Sequence, residues 1–527
     1  MLTPIHIIGI LLTIGLILAA SFLSGRKVKD AKSFTTGGKA GSWMVCGALM
    51  GTLMGGQCTV GTAQLAFNFG LSAWWFTIGA ALGAVVLALF YAAPIRRSGC
   101  TTLLEIVACQ YGHKAETVGS LLFLIGIFIS IVAQVITSSA MLGSLFHLPM
   151  IWAALIGAVL IMMLVLFGGI KSAGAAGIIK LVLLYISSLA AGVVVWRMAG
   201  SFAGVGRGID TIYALPGIAE ENGIADIEGI HHRYGSLFGR GVMKNLGGCL
   251  SIILGVVSTQ TYAQSIWSAA TTPKARRGAL YCAFLIPLIG AACTLVGMYM
   301  RGHYVTAAEL TALQAAGESL PEGIGVIENS AQTFPAFILQ HMPAWIGGIM
   351  LGTLLINILG CASGLSLGAA TILVRDVVQN VLSAKGKSRS VCSMPRRENV
   401  CSEETNVSKK FPIFNSQFSV LTQTRLAIVV ILLLAAGAAN LFRGTFINDL
   451  GFLSLGLRAV ALLFPLSFAL WLPGRFRPRA ILVSMAVGTA AMLLAKALSL
   501  PADPVYYGLA LSLLVILLGS RRTHCSL

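Results

Sequence analysis

Charge is what this sequence has least of: Asp, Glu, Lys and Arg make up 10% of its 527 residues. An ordinary soluble domain carries about 25%. A soluble globule of this length needs far more polar surface, so the deficit points to an exterior covered by lipid. Acid is scarcer than base, yet the formal charge of +18 does not indicate nucleic acid. The basic residues fall in short loops between long neutral stretches and form no continuous basic face.

Other absences exclude further classes. The histidines at 6, 113, 147, 231, 232, 303, 341 and 524 avoid the centres of the apolar runs, which excludes a pair of haem ligands. No paired intramembrane carboxylates or metal-ligand spacing suggest a membrane protease or metal exporter. There is no phosphate-cradling Gly-rich loop with its Lys-Ser/Thr, so ATP-driven transport is not expected. The eleven cysteines form no disulfide framework: six lie inside apolar runs and five in loops assigned to the cytoplasm. The chain is read as neither an enzyme nor a cofactor carrier.

What the chain has in plenty is apolar length, with 57% hydrophobic residues and 60 glycines. A crossing takes roughly 20 residues. The runs predict thirteen spans, near 5–24, 42–69, 72–94, 116–145, 149–168, 172–198, 240–264, 277–299, 333–374, 423–441, 449–472, 478–497 and 503–519. The first lacks a basic leader and a cleavage site and is read as a retained helix. The ninth is long enough to include an amphipathic preface. Every second loop is basic, from Arg26, Lys27, Lys29, Lys32 and Lys39 to Arg521 and Arg522, which places those loops in the cytoplasm and the N-terminus outside. A multi-pass protein of the inner (cytoplasmic) membrane is expected, with the bilayer as its surroundings and no obligate protein partner evident. The polar stretch at 380–421 reads as a cytoplasmic loop.

Three spans carry unusual polarity. The second places Thr52, Gln57, Thr59, Thr62 and Gln64 around Gly55-Gly56; the seventh holds Ser258, Thr259, Gln260, Thr261 and Gln264; the ninth holds Gly360, Cys361, Ser363, Gly364 and Ser366. An unpaired polar group in hydrocarbon costs several kcal/mol, so these groups need partners, water or ligand. Glycine pairs permit either broken helices that bind solute and ion, or close helix packing. Gln57, Thr59, Thr62, Ser258, Gln260 and Gln264 are the candidate solute-binding residues. Lys180, about 12 Å past the expected start of the sixth span, either snorkels to the interface or serves a polar cavity. Arg458 is expected near the outer end of the eleventh span, reaching water or pairing with Asp449, and Gln134 to bond between helices.

A series of motifs resembles the sodium:solute symporter family, which includes bacterial proline and pantothenate carriers and animal sodium–glucose carriers. They are Gly37-Gly38-Lys39-Ala40-Gly41; Gly61, Ala66, Gly70 and Trp74; Thr102-Leu103-Leu104-Glu105 with Gln110-Tyr111-Gly112; and Gly168-Gly169-Ile170-Lys171-Ser172 at a turn between spans five and six. Gln264, Ala269-Ala270 and Ala275-Arg276-Arg277-Gly278 follow, then Asp376, Pro465 and Trp471. The resemblance implies an all-α fold with an inverted-repeat (5+5) core and broken helices, working by alternating access. Residues 37–472 would form that core, 1–36 an auxiliary span and its basic loop, and 473–527 two auxiliary spans and a short tail.

In that family a sodium ion is held by carbonyls of the second span, here near Gly55, and by paired hydroxyls of the ninth. Those hydroxyl positions fall on Gly360 and Cys361 in this chain, and an aspartate position on Gly177, with Lys180 three residues later. Sodium takes hard oxygen ligands, which glycine and cysteine side chains do not supply. Some amino-acid carriers of similar fold use a lysine in place of this sodium and couple to protons. The expectation is a secondary transporter of a small organic solute, an amino acid, monocarboxylate or similar, with the coupling ion H+ through Lys180 or absent, or Na+ with Ser363 and Ser366. A transporter-like sensor is the other class left open.

Overall fold

The computed structural model describes residues 2–25, 40–224, 226–378, 420–442 and 444–520. Along the spans the soluble-protein arrangement is inverted. Leu12, Phe90, Ile186, Phe284 and Leu434 are more than half exposed, whereas Gln134, Thr137, Ser188, Asn357, Ser366 and Asn448 are buried. Apolar side chains facing outward suit hydrocarbon, and inward polar ones must find partners among the helices.

The chain opens with α1 (Pro4–Gly25). The second span comes in two pieces, α2 (Ser42–Leu53) and α3 (Thr62–Phe69), joined through Met54–Gly56 and a wide helical turn at Gln57–Gly61. A tight break at Gly70, with φ of +55°, leads into α4 (Trp75–Val86) and α5 (Ala92–Arg97). Only glycine fits at Gly70, because a Cβ there would strike the backbone of Tyr234. The short α6 (Leu103–Tyr111) starts at a capping box formed by Thr102 and Glu105. Then come α7 (His113–Phe146) and α8 (Met150–Ala199).

Outside these lie α9 (Phe202–Tyr213), α10 (Ile218–Glu221) and α11 (Ile227–Gly235), in a segment the sequence marks only as a long mixed loop. The seventh span is again two pieces, α12 (Val242–Val257) and α13 (Gln260–Ser268), bent by 46°. After α14 (Thr272–Arg301), a parallel pair of strands, β1 (Tyr304–Thr306) and β2 (Gly325–Ile327), flanks α15 (Ala307–Ala315). The Arg301–Glu309 ion pair at 2.8 Å ties this cap to α14. Burial by itself raises the Glu309 carboxyl, but the Arg301 guanidinium outweighs it and holds the group below its ordinary value. The ninth span has its preface, α16 (Thr333–His341), before α17 (Ala344–Ile372). The chain closes with α18 (Val420–Ala439), α19 (Ile447–Trp471), α20 (Pro478–Ala497) and α21 (Pro504–Leu518).

Helix covers every one of the expected spans, with three departures. The turn expected at Gly168-Gly169 is not a break: α8 continues through it for 50 residues. Residues 166–176 include glycine and alanine but no proline, so nothing in them obliges the helical bonds to stop. Second, α17 runs unbroken through Gly360–Ser366 despite its glycines. Third, the loop expected at 380–421 lies, except for its last two residues, outside the described residues.

The core is built by close approach. Gly177 on α8 lies against α2, where a Cβ would stand 2.6 Å from the Gly47 carbonyl oxygen. Overpacking backbone against backbone costs typically 1–3 kcal/mol. Gly177→Ala is therefore expected to lower the melting temperature of the purified protein in detergent. Gly437→Ala, at a lipid-facing site with nothing within 4 Å, is expected to leave it unchanged or slightly raised. Equal melting temperatures for the two variants would contradict the packing described here.

Candidate functional site

The break in the second span leaves main-chain groups without helical partners in the middle of the bundle, and side chains from three other helices take them up. Gln134 on α7 accepts from the Gly56 amide at 2.9 Å. Lys180 on α8 donates to the Gly51 carbonyl at 3.3 Å. On α17, the Cys361 thiol donates to the Thr52 carbonyl at 2.8 Å and Asn357 donates to the Met54 carbonyl. Each carbonyl that would otherwise sit bare in a low-dielectric interior has a donor. Asn357 was missed from the sequence; the available signal was an isolated amide in the apolar run before Gly360.

The candidate ion-coupling residues gather here, apart from Ser363. Lys180 does not snorkel: it is 6% exposed and lies midway along α8 rather than just past a helix start. Its ammonium fills the space that a side chain at 360 would need, since a Cβ on Gly360 would collide with Lys180 Nζ. A Cβ on Gly55 would stand 2.6 Å from Cys361 Sγ, so the absent side chain lets α17 close on the break. Gly177 packs so tightly on α2 that an aspartate there would have no room. Ser363 turns back onto its own helix, donating to the Gly360 carbonyl at 2.8 Å. The Ser366 hydroxyl is buried without a hydrogen-bond partner among the described residues.

The candidate solute-binding residues divide. Thr59 and Thr62 are buried and bond to the carbonyls of Gly55 and Gln57, reinforcing the wide turn. Gln57 is buried with its amide nitrogen unpartnered among the described residues, beside Phe76 and Gly451. Ser258, at the bend of the seventh span, has a buried unpartnered hydroxyl, and Gln264 is buried. Gln260 departs from expectation. Both ends of its carboxamide are engaged at the start of α6, accepting from Leu103 N at 2.9 Å and donating to Thr101 O at 3.1 Å. It braces that short helix instead of facing a cavity.

Arg458 is the second departure. It is 1% exposed, not reaching water, and Asp449 pairs instead with Arg240 at 2.7 Å. Its guanidinium lies among neutral groups: the Thr259 hydroxyl at 3.0 Å, the Ser130 hydroxyl at 2.9 Å, and the Ser454 hydroxyl and carbonyl at 3.0 and 3.1 Å. At the far end of the seventh span, Arg96 donates to the carbonyls of Ile266, Trp267 and Ala269, closing the C-terminus of α13. Ala40 pairs with Ala269 beside it, tying the lead-in of the second span to the end of the seventh.

Two spans broken at their middles, crossed by helices that reach into the breaks, define a broken-helix membrane transporter rather than an enzyme. Comparison with known proteins places it within a family. The sodium:solute symporter family matches residues 33–396, and the chain belongs to that family. It is similar to the uncharacterized symporter YwcA of Bacillus subtilis (strain 168), at 23% identity over 70% of this chain and 67% of that protein. It is also similar to the high affinity choline transporter 1 of Homo sapiens, at 23% identity over 68% of this chain and 58% of that protein. Among solved structures, a Na+-coupled sialic acid symporter matches with a TM-score of 0.69, 16% identity and coverage of 98% and 97% of the two chains. A nucleobase-cation-symport-1 family transporter matches with a TM-score of 0.51, 12% identity and coverage of 92% and 93%. These two structural likenesses establish the fold alone. Family and architecture together make the chain a cation-coupled secondary transporter.

The dependence of Lys180 on the missing side chain at 360 can be measured. A Gly360→Ala substitution is expected to push the ammonium off the Gly51 carbonyl and to cost about 1.5–3 kcal/mol, the order of a hydrogen bond to a charged group. In a Lys180→Ala background the same substitution should cost almost nothing. A double-mutant cycle on unfolding midpoints reads the difference; additive effects would show that the two positions do not interact.

Proposed function

We propose that this protein moves a small organic solute across the cytoplasmic membrane by alternating access, and that the coupling ion is a proton carried by Lys180 instead of a sodium ion. The observation that carries this reading is the ammonium placement. Lys180 Nζ bonds to a carbonyl of the broken second span and fills the void at Gly360. A sodium ion at this point would need those same carbonyls and oxygen side chains from α17. Cys361 instead offers a thiol already donating to Thr52 O, and Ser363 is bonded to its own helix. A fixed cation and a sodium ion within one such site repel strongly in a medium of low dielectric. A lysine that meets water on one side of the cycle and a dry site on the other can lose and regain its proton.

The solute is assigned to the space between the two breaks, among Gln57, Thr59, Thr62, Ser258 and Gln264. An orientation with the N-terminus outside and the C-terminus inside follows from the basic loops. One observation favours the conventional alternative: the buried Ser366 hydroxyl lacks a partner among the described residues and would suit a sodium ion. The void at Gly360 and the occupied carbonyls weigh against it.

Uptake into proteoliposomes separates the two. Labelled acetate, pyruvate and L-proline are offered under an inward proton gradient with sodium replaced by N-methylglucamine, then under a sodium gradient at constant pH. Accumulation driven by the proton gradient alone is expected. Lys180→Gln is expected to abolish accumulation while leaving solute exchange between the two sides. Strong stimulation by sodium at constant pH would overturn the proposal.

A further inference from the structure

In the inverted repeat that the family resemblance implies, the second span relates to the seventh, the fourth to the ninth and the sixth to the eleventh. Lys180 lies on the sixth span, meets the break of the second and fills a void on the ninth. Arg458 lies on the eleventh, meets the bend of the seventh at Thr259 and is received by Ser130 on the fourth. The two cations therefore occupy corresponding places in the two halves. Gly126 makes room for Arg458 as Gly360 does for Lys180: a Cβ at 126 would stand 2.8 Å from Arg458 Cγ.

The two sites differ in what remains unsatisfied. Both cations are bonded only to neutral oxygens, but Lys180 can lose its proton whereas Arg458 is a permanent charge. No carboxylate pairs with it among the described residues. The carboxylates that are buried there, Glu116 and Glu309, sit in the first turns of α7 and α15 and are paired with His113 and Arg301. An ion held in a protein interior without a countercharge costs several kcal/mol. Four bonds are made by the guanidinium, leaving one Nη1–H without an acceptor among the described residues.

The surroundings add positive potential and donors. Thr259 is the N-cap of α13, and its side chain does not cap the helix, so the dipole and the first amides of α13 face the bend uncapped. Ser258 and Thr261, on either side, have buried hydroxyls without partners among the described residues. A guanidinium and a helix N-terminus both favour an anion, and the two free hydroxyls can donate to one.

We infer that Arg458, with Ser258, Thr261 and the N-terminus of α13, receives the anionic group of the solute, so that the transported molecule is a small carboxylate. This deepens the transport function proposed above and rests on it for the word transported. A cation such as choline, which the human relative's name specifies, finds a poor host in a core that holds Lys180 and Arg458 and, among the described residues, no unpaired buried acid. Arg458 acts on the solute by its charge and through its one remaining Nη1–H.

The test uses the purified full-length protein in detergent. Melting temperature is measured with propionate, lactate and L-alanine, and with the size-matched propionamide and propylamine. Carboxylates are expected to stabilise the protein while the amide and amine do not. Arg458→Gln is expected to weaken propionate binding at least tenfold, and Arg458→Lys to keep the preference for the acid over the amide at reduced affinity. Stabilisation by propionamide equal to that by propionate, an undiminished propionate shift in Arg458→Gln, or no shift with any carboxylate would each overturn the inference and leave Arg458 a brace. If Arg458→Gln does not fold, Arg458→Lys decides: loss of the acid-over-amide preference overturns it. Proton-driven uptake of a neutral solute would end this inference and leave the proposed function standing. Arg458-dependent carboxylate binding without gradient-driven flux would do the reverse.

Discussion

A helix interrupted inside a bilayer must hand its orphaned amides and carbonyls to something other than water, and the rest of this structure follows from that demand. At the second span the recipients are Gln134, Lys180, Asn357 and Cys361, drawn from α7, α8 and α17. Each bond is made across helices, so any movement of one bundle against the other changes how the break is satisfied. That gives a physical meaning to alternating access: the break is the place where packing of distant spans and occupancy of a central site are the same event. Glycines at 47, 51, 55, 177 and 360 allow it by letting backbone and donor approach within a few ångströms.

The position of Lys180 is decided by subtraction. Remove the side chain at 360 and α17 has a hollow facing α8; put a lysine one turn along α8 from Gly177 and its ammonium reaches that hollow. In the proposed function, the same two features leave an ion without oxygen ligands there and put a tethered cation in its place. A glycine at 177 completes the pattern, because the backbones of α2 and α8 meet there with no space for a carboxylate.

Much of the architecture was legible in the sequence, because hydropathy is a direct record of the membrane: the apolar runs fall on helices, the fifth and sixth within one, and the paired glycines at 55–56 marked a real break. What failed depended on partners. Arg458 looked like a residue near the interface because sequence depth says nothing about the four hydroxyl and carbonyl contacts that enclose it. Gln260 looked like a ligand because its amide lies in a polar cluster, and only the fold reveals α6 docking against it. Asn357 escaped notice because a single amide in an apolar run gives no pattern until the broken strand of backbone beside it is known. The continuous α8 had no local signal, since glycine permits a turn without requiring one.

The central claim is that a protein ammonium stands where a coupling sodium ion would stand. Sodium binding itself tests this most directly, by equilibrium binding of radioactive sodium to the purified protein at constant ionic strength. The account predicts no saturable binding in the wild-type protein at neutral pH. Saturable sodium binding that disappears when Ser366 is replaced by alanine would contradict it.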